Sequence, residues 1–358
     1  MIAPVMPTLA AWLHDLDPYL VRFSANLGIG WYGLSYIAGF AIGWLLLRWL
    51  AKRGAVLLPS DRALDAVMIA AAGVFVGGRL GYVAFYQPSL LWTFTADPPF
   101  WGLLATNRGG MASHGGMLGV LVAGIWIARM IRRARPQLPR VPLLHVADML
   151  VLIAPPGLFL GRLANFINGE LLGKVVARPG EAAPWWSVRY PQELWTEYDL
   201  GLRTEAQESE LVRLADQYRL PDQPLEAGLE TALTQLRSGA PGLSEQLAPL
   251  VSARHPSQLY QAVTEGLLVL AVLWLIARKP TRPGVITGAF LIAYGIVRIA
   301  TEFVRLPDAH FAVPQPLGLS RGQWLSAAMV VAGTVTIVLV MRAKRDKLGG
   351  WARNAPRA

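Results

Sequence analysis

Long stretches of mainly apolar residues constrain the fold of this chain more than any other feature. A helix needs about 20 such residues to cross the hydrocarbon core of a bilayer. The chain is 54% hydrophobic and only 16% charged, whereas soluble domains carry about 25% charged residues. We therefore predict an all-α integral membrane protein with about seven transmembrane helices, at residues 27–50, 64–85, 110–131, 143–164, 257–277, 284–303 and 324–341.

Basic residues follow the first, third, fifth and seventh predicted spans. The four groups are Arg48, Lys52 and Arg53; Arg132, Arg133, Arg135 and Arg140; Arg278, Lys279 and Arg282; and Arg342, Lys344, Arg345 and Lys347. With seven spans, all four groups fall on one side, which the positive-inside rule makes cytoplasmic. We therefore predict an outer N-terminus and a cytoplasmic C-terminus. This topology explains the net charge of +10, so nucleic acid is not an expected partner.

The connection between the fourth and fifth spans is long and acidic, with 12 acidic and 7 basic residues between positions 178 and 254. Its pattern predicts amphipathic helices at 205–220 and 225–236. The predicted regions are an extracytoplasmic interfacial segment at 1–26, the first four spans with a signature motif at 27–173, a small extracytoplasmic head at 174–255, the last three spans at 256–341 and a basic cytoplasmic tail at 342–358. We expect the tail to be disordered after residue 347.

The chain contains no cysteine. Disulfides, thiolate metal sites and a cysteine nucleophile are therefore excluded, and any thiol in the chemistry must come from a substrate. The histidines lack metal-ligand spacing, so no metal site is predicted. His14, His145 and His310 are expected to be interfacial or loop residues without a functional role.

Several charged residues fall inside the predicted spans, where charge is costly and is a functional candidate by default. Arg79 lies in the second span, and Asp148 in the fourth is expected to be a structural partner. Arg298 and Glu302 are four residues apart and therefore share a helix face. His114 lies among glycines that allow another helix or a lipid headgroup to approach the backbone closely, namely Gly109, Gly110, Gly115, Gly116 and Gly119.

The most informative segment runs from Gly161 to Gly173 and reads Gly-Arg-Leu-Ala-Asn-Phe-Ile-Asn-Gly-Glu-Leu-Leu-Gly. It follows Pro155-Pro156-Gly157, which predicts a break or kink in the fourth span. Arg162, Asn165 and Asn168 recur every three residues, so a helix end would place them on one face. A guanidinium beside carboxamides suits the recognition of a phosphodiester.

This segment fills every fixed position of the signature Gly-Arg-x-Gly/Ala-Asn-Phe-x-Asn-x-Glu-x-x-Gly and closely resembles that of the prolipoprotein diacylglyceryl transferases. Nearly the whole chain shares the resemblance, although residues 203–250 look like an insertion. Further family elements occur in order, namely Trp31-Tyr32-Gly33-Leu34, His114-Gly-Gly, His255-Pro-Ser-Gln-Leu-Tyr260, Tyr294-Gly295 with Arg298, Glu302-Phe-x-Arg305-x-Pro307-Asp308, and Leu319-Ser-x-Gly322-Gln323.

The resemblance implies a seven-span enzyme of the bacterial inner membrane. Such an enzyme transfers the diacylglyceryl group of phosphatidylglycerol to the lipobox cysteine in the signal peptide of a prolipoprotein. A thioether forms and glycerol 1-phosphate leaves, with no metal or nucleotide cofactor. The reaction is a displacement at carbon rather than an acyl transfer, so no serine triad is expected.

A site hypothesis follows from this chemistry. Arg162 and Arg298 clamp the phosphate, and Glu302 holds Arg298. Glu170 either orients Arg162 or organises the outer edge of the site. His114 is either the base for the thiol or a headgroup ligand. The catalytic candidates are thus His114, Arg162, Arg298 and Glu302, and the lipid-binding candidates are Tyr32, Arg162, Asn165, Asn168, Glu170, Gly173, Tyr260, Tyr294 and Arg298.

Two other classes of membrane protein compete with this interpretation. A transporter also carries charged residues in its spans, but the key residues here cluster toward the outer span ends, and no inverted repeat is visible. An intramembrane protease needs an aspartate pair or a serine–histidine dyad. Asp148 has no convincing partner in the sequence, and the adjacent Ser113 and His114 lack dyad spacing.

Overall fold

The computed structural model describes residues 11–24, 27–96, 99–105, 109–138, 140–196, 198–306, 316–343 and 345–352. Pro307, Asp308, His310 and Arg108 lie outside the described residues. The helices are α1 (Trp31–Lys52), α2 (Ala63–Phe85), α3 (Ser113–Ala134), α4 (Leu143–Ile153), α5 (Pro155–Asn168), α6 (Glu205–Tyr218), α7 (Leu225–Arg237), α8 (Leu243–Leu247), α9 (Ser257–Gln261), α10 (Val269–Ile276), α11 (Val285–Glu302) and α12 (Arg321–Arg342). The strands are β1 (Trp12–Leu13), β2 (Tyr19–Ser24), β3 (Leu27–Gly30), β4 (Val175–Ala177), β5 (Val188–Arg189) and β6 (Ala253–Arg254).

Among the described residues, six helical segments are long and apolar enough to cross a membrane, and a bent pair makes up to seven. This agrees with the predicted number of spans. The first span begins later than predicted, at Trp31, because residues 27–30 instead pair with β2 in an antiparallel hairpin. The short strands also amend the prediction of an all-α protein.

The predicted break in the fourth span is present. Helix α4 ends at Ile153, α5 begins at Pro155, and the two axes differ by 41°. Proline has no N–H to donate, so it disrupts a helix interior but fits the first turn of a new helix. The predicted span at 143–164 therefore consists of two helices, the second of which extends to Asn168.

The fifth span contains a π-helical segment, Ala262–Leu268, between α9 and α10. Such segments are rare and occur frequently at functional sites. Gly266 lies against α5, since a Cβ added there would be 2.6 Å from the Phe159 Cβ. The close approach of the two backbones therefore requires glycine at this position.

The chain divides into two compact units. The first comprises residues 1–37, 158–268 and 294–329. It contains a sheet in which β1 runs parallel to β5, while β6 is antiparallel to both β5 and β4. Helices α6 and α7 begin where predicted and bury a leucine-rich core with α8. A capping box formed by Thr204 and Gln207 starts α6.

His14 was expected to be an interfacial or loop residue; it lies in the loop that follows β1, but its burial was not expected. Residues 12–13 form β1 of the sheet, and the His14 imidazole is fully buried in the first unit. Its Nε2 bonds to the Phe166 carbonyl at 2.7 Å. The N-terminal segment therefore packs against the end of α5, which carries the signature motif.

The second unit comprises residues 38–157, 269–293 and 330–358. Its α2 and α3 pack at the glycines of both helices. A Cβ on Gly77 or Gly81 would overlap the backbone at Gly115, and one on Gly119 would overlap Gly73. Small residues allow such close helix packing. The glycines near His114 were expected to allow close approach of either another helix or a lipid headgroup. For Gly115 and Gly119, the packing of α2 against α3 accounts for the glycine.

Asp148 joins α4 to the first turn of α11, within the second unit. Its carboxylate accepts hydrogen bonds from the backbone N–H groups of Gly284 and Thr287, both at 2.7 Å, and from the Thr287 hydroxyl at 2.6 Å. It thereby satisfies N–H groups that a helix start leaves unpaired. The predicted structural role of Asp148 is confirmed. His145, predicted to be interfacial, is buried and accepts a bond from the Leu57 N–H.

Residues 348–352 are ordered, contrary to the prediction of disorder after residue 347. Leu348 pairs with Thr281 in an antiparallel bridge. The indole of Trp351 donates to the Trp274 carbonyl at 2.8 Å, and its ring lies near those of Trp274 and Trp49. Burial of aromatic surface and this hydrogen bond hold the segment in place.

Candidate active site

A buried ion pair joins α5 to the π-helical segment. The Arg162 guanidinium donates to Oε2 of Glu265 through Nε at 3.1 Å and Nη2 at 2.9 Å. The Glu265 side chain is fully buried, and that of Arg162 is 19% exposed. Removing one partner of such a pair leaves an uncompensated buried charge. The pair therefore fixes the guanidinium of the signature arginine.

A second guanidinium approaches the same carboxylate. Arg298 Nη1 lies 3.8 Å from Oε1 of Glu265. That distance allows Coulombic attraction but no hydrogen bond. Neither atom has a hydrogen-bond partner within the described part of the chain. Glu265 thus lies between Arg162 on α5 and Arg298 on α11. The Nη1 group of Arg298 can still donate a hydrogen bond to another acceptor.

Glu302 anchors the other side of Arg298. The two residues form the contact expected from their spacing on α11, with Arg298 Nη2 at 3.0 Å from Glu302 Oε2. Arg305 Nη1 lies 3.8 Å from the same oxygen. The Ser320 hydroxyl donates to Glu302 Oε1 at 2.9 Å. Gly322 leaves room for this carboxylate, since a Cβ there would be 2.9 Å from it.

Among the described residues, the cluster carries a surplus of positive charge, because it contains three arginines, Arg162, Arg298 and Arg305, and two glutamates, Glu265 and Glu302. Tyr294, one turn before Arg298 on α11, forms a side-chain hydrogen bond with Arg162. A phosphate would offset the surplus charge in a site where water is scarce and charge interactions are strong.

The signature motif continues into a turn that directs Glu170 toward the asparagines. The Glu170 carboxylate accepts from Nδ2 of Asn165 at 3.1 Å and Nδ2 of Asn168 at 3.0 Å. These contacts differ from the expected orientation of Arg162 by Glu170, because Glu265 is the carboxylate that holds Arg162. Each amide nitrogen carries two N–H groups, so one hydrogen-bond donor remains on each asparagine beyond its contact with Glu170.

The turn has an unusual backbone that its neighbours stabilise. Leu171 has φ of 55°, a left-handed conformation that is uncommon for a residue with a Cβ. Gln258 donates to the Glu170 carbonyl, and the Ser257 hydroxyl donates to the Leu171 carbonyl. Gly173 packs on the main chain of His255, which a Cβ would overlap. Glycine is therefore required at position 173 for a steric reason.

The other predicted site residues, Tyr32, Tyr260 and His114, are carried by α1, α9 and α3. Tyr32 is on α1, with its ring 5.4 Å from that of Tyr36. Tyr260 is on α9, with its ring 6.0 Å from that of His255. All of these belong to the first unit, whereas His114 belongs to the second. His114 is the second residue of α3, and its side chain is exposed.

Glu265, which contacts both arginines, was not among the residues predicted from the sequence. It is the only charged residue between positions 257 and 277, and a lone charge within a predicted span is a signal for function. Ser257 and Gln258 appeared only as parts of a motif. Their contacts with the strained turn could not be found from spacing, because they lie 86 and 88 residues away in sequence.

Comparison with known proteins agrees with the resemblance found in the signature motif. The family model described as prolipoprotein diacylglyceryl transferase matches residues 18–339. A phosphatidylglycerol--prolipoprotein diacylglyceryl transferase of Bdellovibrio bacteriovorus is 40% identical over 355 residues, covering 95% of this chain and 97% of the relative. The protein of the same name from Rhodospirillum rubrum is 35% identical, covering 92% and 94%. The chain belongs to the prolipoprotein diacylglyceryl transferase family.

Proposed function

We propose that this protein transfers the diacylglyceryl group of phosphatidylglycerol to the lipobox cysteine of prolipoproteins. In the reaction, the bond between a glycerol carbon of the lipid and its phosphate oxygen breaks. The cysteine sulfur forms the new bond to that carbon, giving a thioether. The phosphate oxygen keeps the electron pair, and the thiol proton passes to a base or to the leaving group. Glycerol 1-phosphate is the second product.

The observation that carries this proposal is the pair of arginines around Glu265. Arg298 Nη1 is a buried donor without a hydrogen-bond partner among the described residues. A phosphodiester oxygen would supply the missing acceptor. As the leaving group departs, its phosphate gains negative charge, and fixed donors that meet this charge lower the barrier. Arg162 and Arg298 supply these donors, with Asn165 and Asn168 as further candidates.

The carboxylates hold the arginines rather than take part in the bond changes. Glu265 keeps Arg162 in place, and Glu302 holds Arg298 from the opposite side. A guanidinium held at both ends loses little entropy when it binds a phosphate, because its geometry is set in advance. Tyr294 supports Arg162, whereas Tyr32 and Tyr260 are candidates for contacts with the lipid headgroup.

His114 is the candidate for taking the thiol proton. A free thiol has a pKa of about 8.5, so a base is needed to form the nucleophilic thiolate near neutral pH. Histidine is the side chain that most often serves as a general base in enzymes. A contact between His114 and the lipid headgroup is the alternative role for this side chain.

The proposed location is the bacterial inner membrane, with the N-terminus outside and the C-terminus in the cytoplasm. The described basic residues that follow α1, α3, α10 and α12 all belong to the second unit. Residues 174–255 belong to the first unit. The positive-inside rule makes the loops that carry these basic residues cytoplasmic, and with seven spans the residues at 174–255 then form an extracytoplasmic head.

The decisive experiment uses purified protein in detergent with phosphatidylglycerol and a lipobox peptide that contains one cysteine. Peptide mass and released glycerol phosphate are measured in the same samples. We expect a diacylglyceryl gain in peptide mass that is matched by glycerol phosphate. A peptide with serine in place of the cysteine is the control and should gain no mass.

Other outcomes would point to other classes of protein. Cleavage of the peptide without a gain in mass would indicate an intramembrane protease. Movement of labelled lipid across liposomes without chemical change would indicate a transporter. Absence of transfer by correctly folded protein would contradict the proposed reaction.

A further inference from the structure

Arg79 is a charged residue of the second span that the proposed reaction does not use. It lies on α2 in the second unit and is only 7% exposed. Its guanidinium donates four hydrogen bonds, all to main-chain carbonyls. Nε bonds to Leu103 at 2.7 Å, Nη2 to Gly102 at 2.6 Å, and Nη1 to Gly109 and Gly110 at 2.8 Å each.

These hydrogen bonds use most of the donors of the guanidinium for contacts with backbone carbonyls. An arginine has five N–H donors in a planar fork, and four bonds of this kind leave little capacity for a ligand. Bonds from an ionised donor are stronger than those between neutral groups. Arg79 is therefore placed to hold a loop, whereas Nη1 of Arg298 has no hydrogen-bond partner among the residues that the structure describes.

The loop held by Arg79 leads directly into α3. The contacted carbonyls fall in two places, at Gly102 and Leu103 and again at Gly109 and Gly110, so one side chain joins these two pairs of residues. The N–H of Ala112 then donates to the Gly78 carbonyl on α2 at 2.9 Å. His114 follows as the second residue of α3.

Gly110 fits closely against the arginine. Its φ is +81°, and a Cβ added there would lie 2.6 Å from both Arg79 Nη1 and Tyr82 Cε1. Gly109 has nearly the same φ, +82°, but a Cβ there would meet nothing within 4 Å. Both glycines therefore adopt a positive φ that other residues rarely adopt. At Gly110, a side chain would also collide with Arg79 and Tyr82.

We propose that Arg79 is a positioning residue for the transfer reaction, which clamps the loop before α3 and so fixes the helix start that carries His114. This inference rests on the proposed function and deepens it. This role explains why Arg79, a charged residue of the second span, donates its hydrogen bonds to carbonyls of the loop before α3.

The competing explanation, that Arg79 is a ligand for the lipid phosphate, predicts different kinetics. A lysine can serve a phosphate as a point charge but cannot replace a planar fork that meets four carbonyls. We expect Arg79→Lys and Arg79→Ala each to lower kcat by about 100-fold, because small misplacements of a reacting group have effects of that size. The KM for phosphatidylglycerol should stay within about twofold. Arg129→Ala, an exposed change on α3, is the matched control and should be near wild type.

The adjacent glycines provide a second test. Gly109→Ala and Gly110→Ala impose the same kind of backbone strain, but only Gly110→Ala displaces Arg79. We expect the larger loss of kcat in Gly110→Ala. In an Arg79→Ala background the additional loss caused by Gly110→Ala should shrink, because coupled residues are not additive. Equal and additive losses for the two glycines would contradict the clamp.

Loop order can be measured without substrate. The chain lacks cysteine, so a single cysteine at the exposed Leu104 accepts one spin label, and Leu220 in the head provides a control position. We expect Arg79→Ala to increase label mobility at position 104 and leave position 220 unchanged. Unchanged mobility at 104, or an Arg79→Lys protein with at least half the wild-type kcat, would overturn the inference. If the wild type lacked transferase activity, the proposed function would fail, and the label would still decide the clamp.

Discussion

The Glu265 carboxylate receives both Nε and Nη2 of Arg162 on one oxygen, at 3.1 and 2.9 Å, while its other oxygen faces Arg298. One buried acid thus orders two arginines from different helices. The π-helical segment that carries Glu265 lies against α5 through Gly266. Local backbone geometry and the charge arrangement of the site are therefore linked.

Glu265→Leu should destabilise the protein strongly. Loss of one member of a buried pair costs about 3 to 5 kcal/mol, because the remaining charge is uncompensated. Adding Arg162→Met should recover much of this stability but no transfer activity, since the phosphate donor is also gone. Thermal denaturation in detergent and the peptide-mass assay measure the two effects. Glu245→Leu, at an exposed site, is the control, and equal stability of Glu265→Leu and wild type would contradict the pairing.

Arg298→Ala and Arg162→Ala should each abolish measurable transfer while the protein still inserts in the membrane. Removing a donor that meets developing charge lowers rates by about 100- to 1,000-fold. Arg298→Lys keeps the charge but loses the fork, so we expect it to be intermediate. Release of glycerol phosphate is the measurement, with membrane yield and thermal stability as controls. Full activity of purified Arg298→Ala would rule out the proposed phosphate clamp.

His114→Gln should reduce transfer most near neutral pH and least under alkaline conditions. Without a base, thiolate must form by ionisation of the substrate cysteine, whose pKa is about 8.5. The ratio of wild-type to variant kcat should therefore fall as pH rises through that value. A pH profile of both proteins with the same peptide tests this. A near-wild-type rate for His114→Gln at neutral pH would exclude an obligatory base.

His14 should make the stability of the head depend on pH. Burial, partly opposed by its bond to the Phe166 carbonyl, lowers the pKa of His14 from 6.5 to about 4. The unfolded chain therefore binds a proton that the folded chain excludes between these values. The stabilisation is fully present above pH 6.5 and is lost as pH falls toward 4, with a total of about 3 kcal/mol.

The matched variant is His14→Gln, which cannot titrate but keeps an N–H that can reach the Phe166 carbonyl. Melting temperatures of both proteins between pH 4 and 7 give the comparison. We expect the wild type to lose more stability than the variant as the pH falls. Identical pH dependence in the two proteins would show that His14 contributes nothing to it.

Much of this protein could be predicted from the order of its residues. Spans of about 20 apolar residues predict membrane helices because unpaired backbone groups cannot be left in lipid. The break at Pro155 follows from the chemistry of proline alone. The Arg298–Glu302 contact follows from helical spacing. The signature from Gly161 to Gly173 also identified the family that the comparisons show.

Only the tertiary structure determined which charges meet. Arg162 and Glu265 are 103 residues apart, and no local pattern pairs an acid with one arginine rather than another. The same limit explains why the burial of His14 and the order of residues 348–352 were not predicted, because both depend on partners that are distant in sequence. Local sequence sets the intrinsic preferences of each helix and turn, whereas the pairing of buried charges depends on how distant segments pack and on the cost of leaving a charge alone.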